Sequence, residues 1–320
     1  MKKILLAVTA ALAITSCSQN EEFEAPSQKA EIDFNTAVTR ATELNTEGLQ
    51  KAGFEIYAYN TGTSDMGDNV TLPASAWISG SASYAESKWS VTGGPYYWPI
   101  GEKLQFFAYS PQAGVGYTKP SGAGYPKFTY TVGSSATDQK DLVIASAENK
   151  AKATEGATSA VTLTFKHALT QVNIEVTKVD GYTYDISNVE VSGVKGSGTF
   201  TYTGINTGTW AAGTDDDVTY TYTLGDFTDN TTAVVAANAL MLIPQEIATA
   251  QISISYTVKK GDSKLAENNK KVGLPTTTPW SFGKKILYKL TLPVGAEEVG
   301  VNAIVSDWDK ETPENPTVSE

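Results

Sequence analysis

Cysteine and histidine occur once each in this 320-residue chain, as Cys17 and His167. A single cysteine has no partner for an intrachain disulfide, and one histidine with one cysteine cannot assemble the usual zinc ligand sets. Basic residues are short as well: 24 Lys and Arg stand against 35 Asp and Glu, a formal net charge of −11. Nucleic-acid binding needs a basic surface that displaces counterions from phosphate, so the balance argues against that partner. The sequence has no Gly-x-Ser-x-Gly nucleophile elbow and no phosphate-binding loop ending in Gly-Lys-Ser/Thr. Its apolar run from Ile4 to Ile14 falls short of the roughly 20 residues that cross a bilayer.

That run is informative in another way. Lys2 and Lys3 precede it and the small residues Thr15 and Ser16 follow it, the layout of a secretory signal peptide over 1–16. Ile14-Thr15-Ser16-Cys17 resembles a bacterial lipobox, in which the cysteine thiol is diacylated and becomes the first mature residue. Acyl chains contribute about 0.8 kcal/mol per buried methylene, so several on one cysteine form a firm membrane anchor. The competing reading is a secreted protein with a chance cysteine. Glu21, Glu22 and Glu24 then form a cluster similar to the acidic stretch that sends some lipoproteins to the outer face of the outer membrane. Otherwise they belong to a polar tether.

Beyond this leader, 41% hydrophobic residues, sixteen tyrosines and abundant Thr and Val favour strands. Period-two alternation recurs in FEIYAY (54–59), KLQFFAYSP (103–111), QKDLVIASA (139–147), QISISYTVK (251–259) and KKILYKLTLP (284–293). Gly, Pro, Asn and Asp clusters separate these segments, the pattern of an all-β sandwich with little helix. About 300 residues exceed what one core holds, and the small, polar segment 147–160 predicts a boundary between β-sandwich domains over 41–150 and 155–308. The tail 309–320 carries two prolines and no apolar periodicity. In VTLTFKHALTQVNIEV the apolar residues move from odd to even positions at Thr170-Gln171, which requires a bulge or a chain corner. KGSGTF (195–200) reads as a hairpin turn.

Candidate chemistry is sparse. His167 shares a strand face with Val161, Leu163, Phe165 and Leu169, so it reads as a hydrogen-bonded core residue rather than a base. Asp215, Asp216, Asp217, Asp226 and Asp229 do not follow the EF-hand spacing and read as acidic turns. No metal, cofactor or enzymatic activity is expected. PYYWPIGE (95–102) with Trp77, Trp89, Trp210 and Trp280 could stack on sugars, although large aromatics more commonly fill cores.

A strand also precedes the first domain. In EIDFNTAVTRATE (31–43), Ile32, Phe34, Thr36 and Val38 alternate with Asp33, Asn35 and Ala37, and the strand runs into Arg40 among small polar neighbours. An arginine-specific protease would cut an exposed Arg40–Ala41 bond. Losing Ile32, Phe34 and Val38 would forfeit about 5–8 kcal/mol at roughly 1.5–3 kcal/mol per buried side chain. A groove flanked by unpaired backbone groups would open and invite another strand. Val299, Val301, Ala303 and Val305 alternate on EVGVNAIVSDW (298–308), a candidate donor from a neighbouring molecule. Alternatively both segments pair within their own chain and Arg40 is an ordinary surface residue.

VTRAT, FEIYAY, YYWPIGEKLQFFAYSP, QKDLVIAS, FKHALTQVNIEV, LMLIPQE, GKKILYKLTL and IVSDW occur in an order that resembles the fimbrillin-like proteins, subunits of type V pili. The resemblance implies two tandem transthyretin-like Greek-key β-sandwich domains. It also implies export as an outer-membrane lipoprotein precursor lipidated at Cys17, trimming after Arg40, and polymerisation with other fimbrial subunits by donor-strand exchange. A different class of function stays open: a monomeric surface lipoprotein that binds a host glycan or protein through its aromatic residues.

Overall fold

The computed structural model describes residues 30–38, 44–112, 114–152, 160–214, 217–225, 227 and 233–308. Cys17, Arg40, Ala41, Asp215, Asp216, Asp226, Asp229 and the 309–320 tail lie outside the described residues. Nearly all the regular structure is β, in agreement with the alternation in the sequence. The one described helix, α1 (Thr46–Ala52), is capped by the Asn45 side chain, which accepts from the Gly48 amide at 2.8 Å. It stops at Gly53, whose φ of 71° suits a residue without a Cβ.

Seven strands form the first sheet. In chain order they are β1 (Phe34–Val38), β2 (Phe54–Asn60), β3 (Ile78–Ala85), β4 (Lys88–Val91), β5 (Leu104–Ser110), β8 (Val143–Lys150) and β9 (Val161–His167). Their spatial order is β1-β9-β8-β5-β2-β3-β4. The intervening β6 (Val115–Thr118) and β7 (Lys127–Thr131) join β12 (Ser197–Gly204) and β13 (Thr207–Ala212) in a second sheet, ordered β13-β12-β7-β6. A third sheet is built on β10 (Thr170–Thr177), β15 (Ala233–Val235), β16 (Leu240–Leu242), β19 (Lys284–Thr291) and β20 (Gly300–Asp307), with β20 at its edge. The fourth contains β11 (Thr183–Val194), β14 (Val218–Thr221), β17 (Gln251–Lys260) and β18 (Ser263–Gly273).

Residues 147–150 belong to β8, which is a neighbour of β9 in one sheet, and β7 pairs with β12. The sheets therefore interleave across residues 41–150 and 155–308. The phase change at Thr170 is a chain corner, since β9 lies in the first sheet and β10 in the third. Lys195-Gly196 is likewise a passage between sheets, from β11 to β12, and corrects the hairpin expectation: β11 pairs with β14 and β17 instead.

Two hydrophobic cores result. Phe54, Ile56 and Ala58 of β2, Leu104, Phe106 and Ala108 of β5, and Val143, Ala145 and Ala147 of β8 face the smaller core. Tyr59, Phe107, Tyr109 and Ile144, on the opposite faces of the same strands, enter the larger one. This double burial explains why LQFFAYS is buried throughout, beyond what alternation alone predicts. The larger core is rich in tyrosine, and several of its hydroxyls end on main-chain carbonyls: Tyr202 donates to Ala108 at 2.8 Å and Tyr222 to Val172 at 2.9 Å.

Candidate functional site

The N-terminal strand completes the smaller core. β1 runs parallel to β9, with Phe34 opposite Val161 and Val38 opposite Phe165. Just before β1, the Ile32 amide donates to the Tyr96 carbonyl at 2.8 Å and the Trp98 amide donates to the Ala30 carbonyl at 3.0 Å. The segment thus has backbone partners on both sides, from β9 along its second half and from residues 96–98 along its first. Ile32, Phe34 and Val38 are 5%, 8% and 8% exposed and all belong to the smaller core. The Phe34 ring meets Phe106 edge-on at 6.0 Å.

Between β1 and β4 the seam is looser. Trp89 donates its indole N–H to the Thr36 hydroxyl at 3.1 Å. The Lys88 ammonium sits 3.1 Å from Asp33 and 3.2 Å from Glu31. Hydrogen bonds to these carboxylates, Asp33 first, push Lys88 above the ordinary lysine range. A cavity of about 380 Å³ lined by Ile32, Phe34, Trp89 and Tyr96 runs along this seam. Lys88, Trp89 and the 96–98 segment are the partners that sequence reading missed, because nothing in alternation tells which distant loop closes on a strand. Arg40 itself is the sole arginine of the chain, two residues beyond Val38.

The candidate donor segment is paired within its own chain. β20 runs antiparallel to β19, from Gly300 opposite Thr291 to Asp307 opposite Lys284. Val299 is buried, Val301 and Ala303 pack against the larger core, and Val305 is 45% exposed with its neighbour Ile304 at 44%. Trp308 follows, 1% exposed, and lies flat against His167 with ring centres 4.5 Å apart and planes 1° from parallel. His167 is fully buried as expected of a core residue, its Nδ1 2.8 Å from the Asp141 carboxylate. One strand therefore joins two distant segments: β9 pairs with β1 along its length and, through His167 at its tip, stacks on Trp308.

A sequence profile described as fimbrillin-like matches residues 39–308. The chain belongs to the fimbrillin-like family. Among curated proteins, the fimbrium subunit Fim1C of Phocaeicola vulgatus is 28% identical over 369 aligned positions, covering 96% of each chain. Among solved structures, a fimbrial protein from Bacteroides vulgatus superposes with a TM-score of 0.68 at 21% identity, covering 86% of this chain and 99% of the other. That likeness shows a shared fold.

Within this fimbrillin-like fold the remaining sequence candidates scatter. Trp89 and Trp280 are only 5% and 2% exposed, while Trp77 is 41% exposed and Trp210 half-buried, so the four do not form one platform. Asp217 pairs with Lys195 at 2.9 Å. Among the described residues, no helix is long and apolar enough to cross a membrane.

Proposed function

We propose that this chain is a structural subunit of a cell-surface fimbria, exported as a lipoprotein precursor through Cys17 and assembled by strand exchange at the β1 seam. The observation that carries this reading is the placement of Ile32, Phe34 and Val38. They wall one core, yet they belong to a terminal ribbon joined to the rest of the chain through a segment that holds its sole arginine. Cleavage after Arg40 leaves that ribbon held only by non-covalent contacts. Its removal forfeits about 5–8 kcal/mol of apolar burial, comparable to the whole stability of many domains at about 5–15 kcal/mol. A strand from a second fimbrial subunit restores both the burial and the backbone pairing along β9.

The segment bearing Val299, Val301, Ala303 and Val305 is the candidate donor. It lies at a sheet edge and, among the described residues, has only β19 as a ladder partner, so it can peel away without splitting a sheet. The similarity to a curated fimbrium subunit over 96% of both chains supports the same reading. Mass spectrometry of protein extracted from the cell surface tests it. Assembled material should begin at Ala41 and the precursor at an acylated Cys17. Assembled material that still carries residues 30–40 would overturn the exchange step.

A further inference from the structure

The geometry points to a binding site for neutral oligosaccharides in the cleft beside Trp210, remote in sequence from the β1 seam. The cleft measures about 630 Å³, within the roughly 300–1,000 Å³ of small-molecule sites. Its apolar element is the Trp210 ring with Phe282 beside it. The Trp210 indole N–H donates to the Ala168 carbonyl at 2.7 Å, and the ring packs on Phe200 and Phe128 at 5.5 and 6.0 Å between centres. Its plane is thereby fixed before any ligand arrives.

The polar element is equally well held. Gln245 accepts from the Lys195 amide at 2.8 Å and uses both its N–H groups on the carbonyls of Lys195 at 3.0 Å and Ile243 at 3.1 Å, so it holds the loop that places Lys195. Lys195 reaches Asp217, while Glu246 is exposed on the same cleft. The loops that carry these groups are tied by backbone bonds, Trp280 N–H to Gln245 at 3.1 Å and Gly213 N–H to Ser197 at 2.8 Å. A fixed aromatic plane beside the Asp217 and Glu246 carboxylates and the Lys195 ammonium matches a sugar, which has one C–H face and a rim of hydroxyls that both donate and accept. Ordering costs are low because the partners are already placed.

Charge narrows the class. Asp217 and Glu246 outnumber Lys195 on a chain of net charge −11, so sialylated and sulfated glycans are repelled. Trp77, which is 41% exposed, lies in a different cleft. That cleft of about 640 Å³ is lined by Tyr96, Tyr97, Trp98, Pro95, Pro99 and Ile100 with Lys152, and its described lining residues include no carboxylate to accept from sugar hydroxyls.

The test is a titration of the full chain with galactose-, glucose-, mannose- and N-acetylglucosamine-terminated tetrasaccharides and one sialylated counterpart. Binding is followed by tryptophan fluorescence and saturation-transfer NMR. At least one neutral probe should saturate, and the sialylated one should not. Trp210→Ala should weaken binding about tenfold or more, as removal of a central aromatic anchor does, whereas Trp77→Ala should leave it unchanged. Because truncating Trp210 also removes core packing, Glu246→Lys serves as a second variant on an exposed position: it should raise affinity for the sialylated probe. Absence of saturation by every neutral probe, equal binding of the sialylated one by the unaltered chain, or binding indifferent to both variants overturns the assignment. Any of these results leaves strand exchange at β1 untouched.

Discussion

The two cores of this protein are finished by segments near opposite limits of the described residues, and they are finished differently. The smaller core takes Ile32, Phe34 and Val38 from the N-terminal ribbon as part of its wall, and none of its buried residues is a tyrosine. The larger core has nine buried tyrosines among its members and draws from β20 only the half-buried Val301 and Ala303, flanked by Val299 and Trp308. One end is a plug, deeply buried and held from both sides. The other is a clip, paired along one edge and pinned by a tryptophan at its tip. Under the proposed exchange the plug is the strand whose loss opens a core, and the clip, at a sheet edge, is the strand offered to another subunit.

Changing Ile32, Phe34 and Val38 together to alanine should have the largest effect, about 5–8 kcal/mol in a denaturant titration. The matched change of Val301 and Val305 to alanine should cost far less, and equal losses would erase the distinction between plug and clip. Trp308→Ala comes next, about 3–5 kcal/mol for truncating a buried ring. Hydrogen exchange should then quicken in β20 ahead of β1; uniform quickening would show that the stack on His167 does not pin the C-terminal end.

A pH titration separates the cores by composition. Burial first of all pushes Tyr130, Tyr220 and Tyr256 of the larger core up to about 12. A raised phenol favours its protonated form in the folded chain, so this stabilisation is complete below the ordinary value near 10 and is lost as pH climbs towards 12. Tyrosinate absorbance should lag behind that of free tyrosine until the larger core opens. The smallest effect is expected from Ile304→Ser, within about 0.5 kcal/mol, since this side chain is 44% exposed on β20.

Much of this was legible in the residues. Alternation located β2, β5, β8, β17 and β19, and the slipped phase at Thr170 marked the corner between sheets. Burial of Ile32, Phe34 and Val38 followed from period two and nothing else. What alternation cannot encode is which loop closes over which strand. The partnership of β1 with residues 96–98, the interleaving of β6 and β7 with β12, and the His167–Trp308 stack all join residues far apart in sequence. The polar, small composition at 147–160 did not reveal that residues 147–150 continue β8 or that β8 and β9 are neighbours in one sheet. Among the tryptophans, burial set Trp77 and Trp210 apart from the others, which a count of aromatics could not do.

The most direct test uses the sole arginine. Digestion of the purified chain with an arginine-specific protease should cut once, after Arg40, and yield oligomers that resist SDS at room temperature and fall apart on boiling, with any remaining monomer melting well below the intact chain. Cut protein that stays wholly monomeric, folded and as heat-resistant as its uncut parent would contradict the claim that the N-terminal ribbon fills a groove another subunit must occupy.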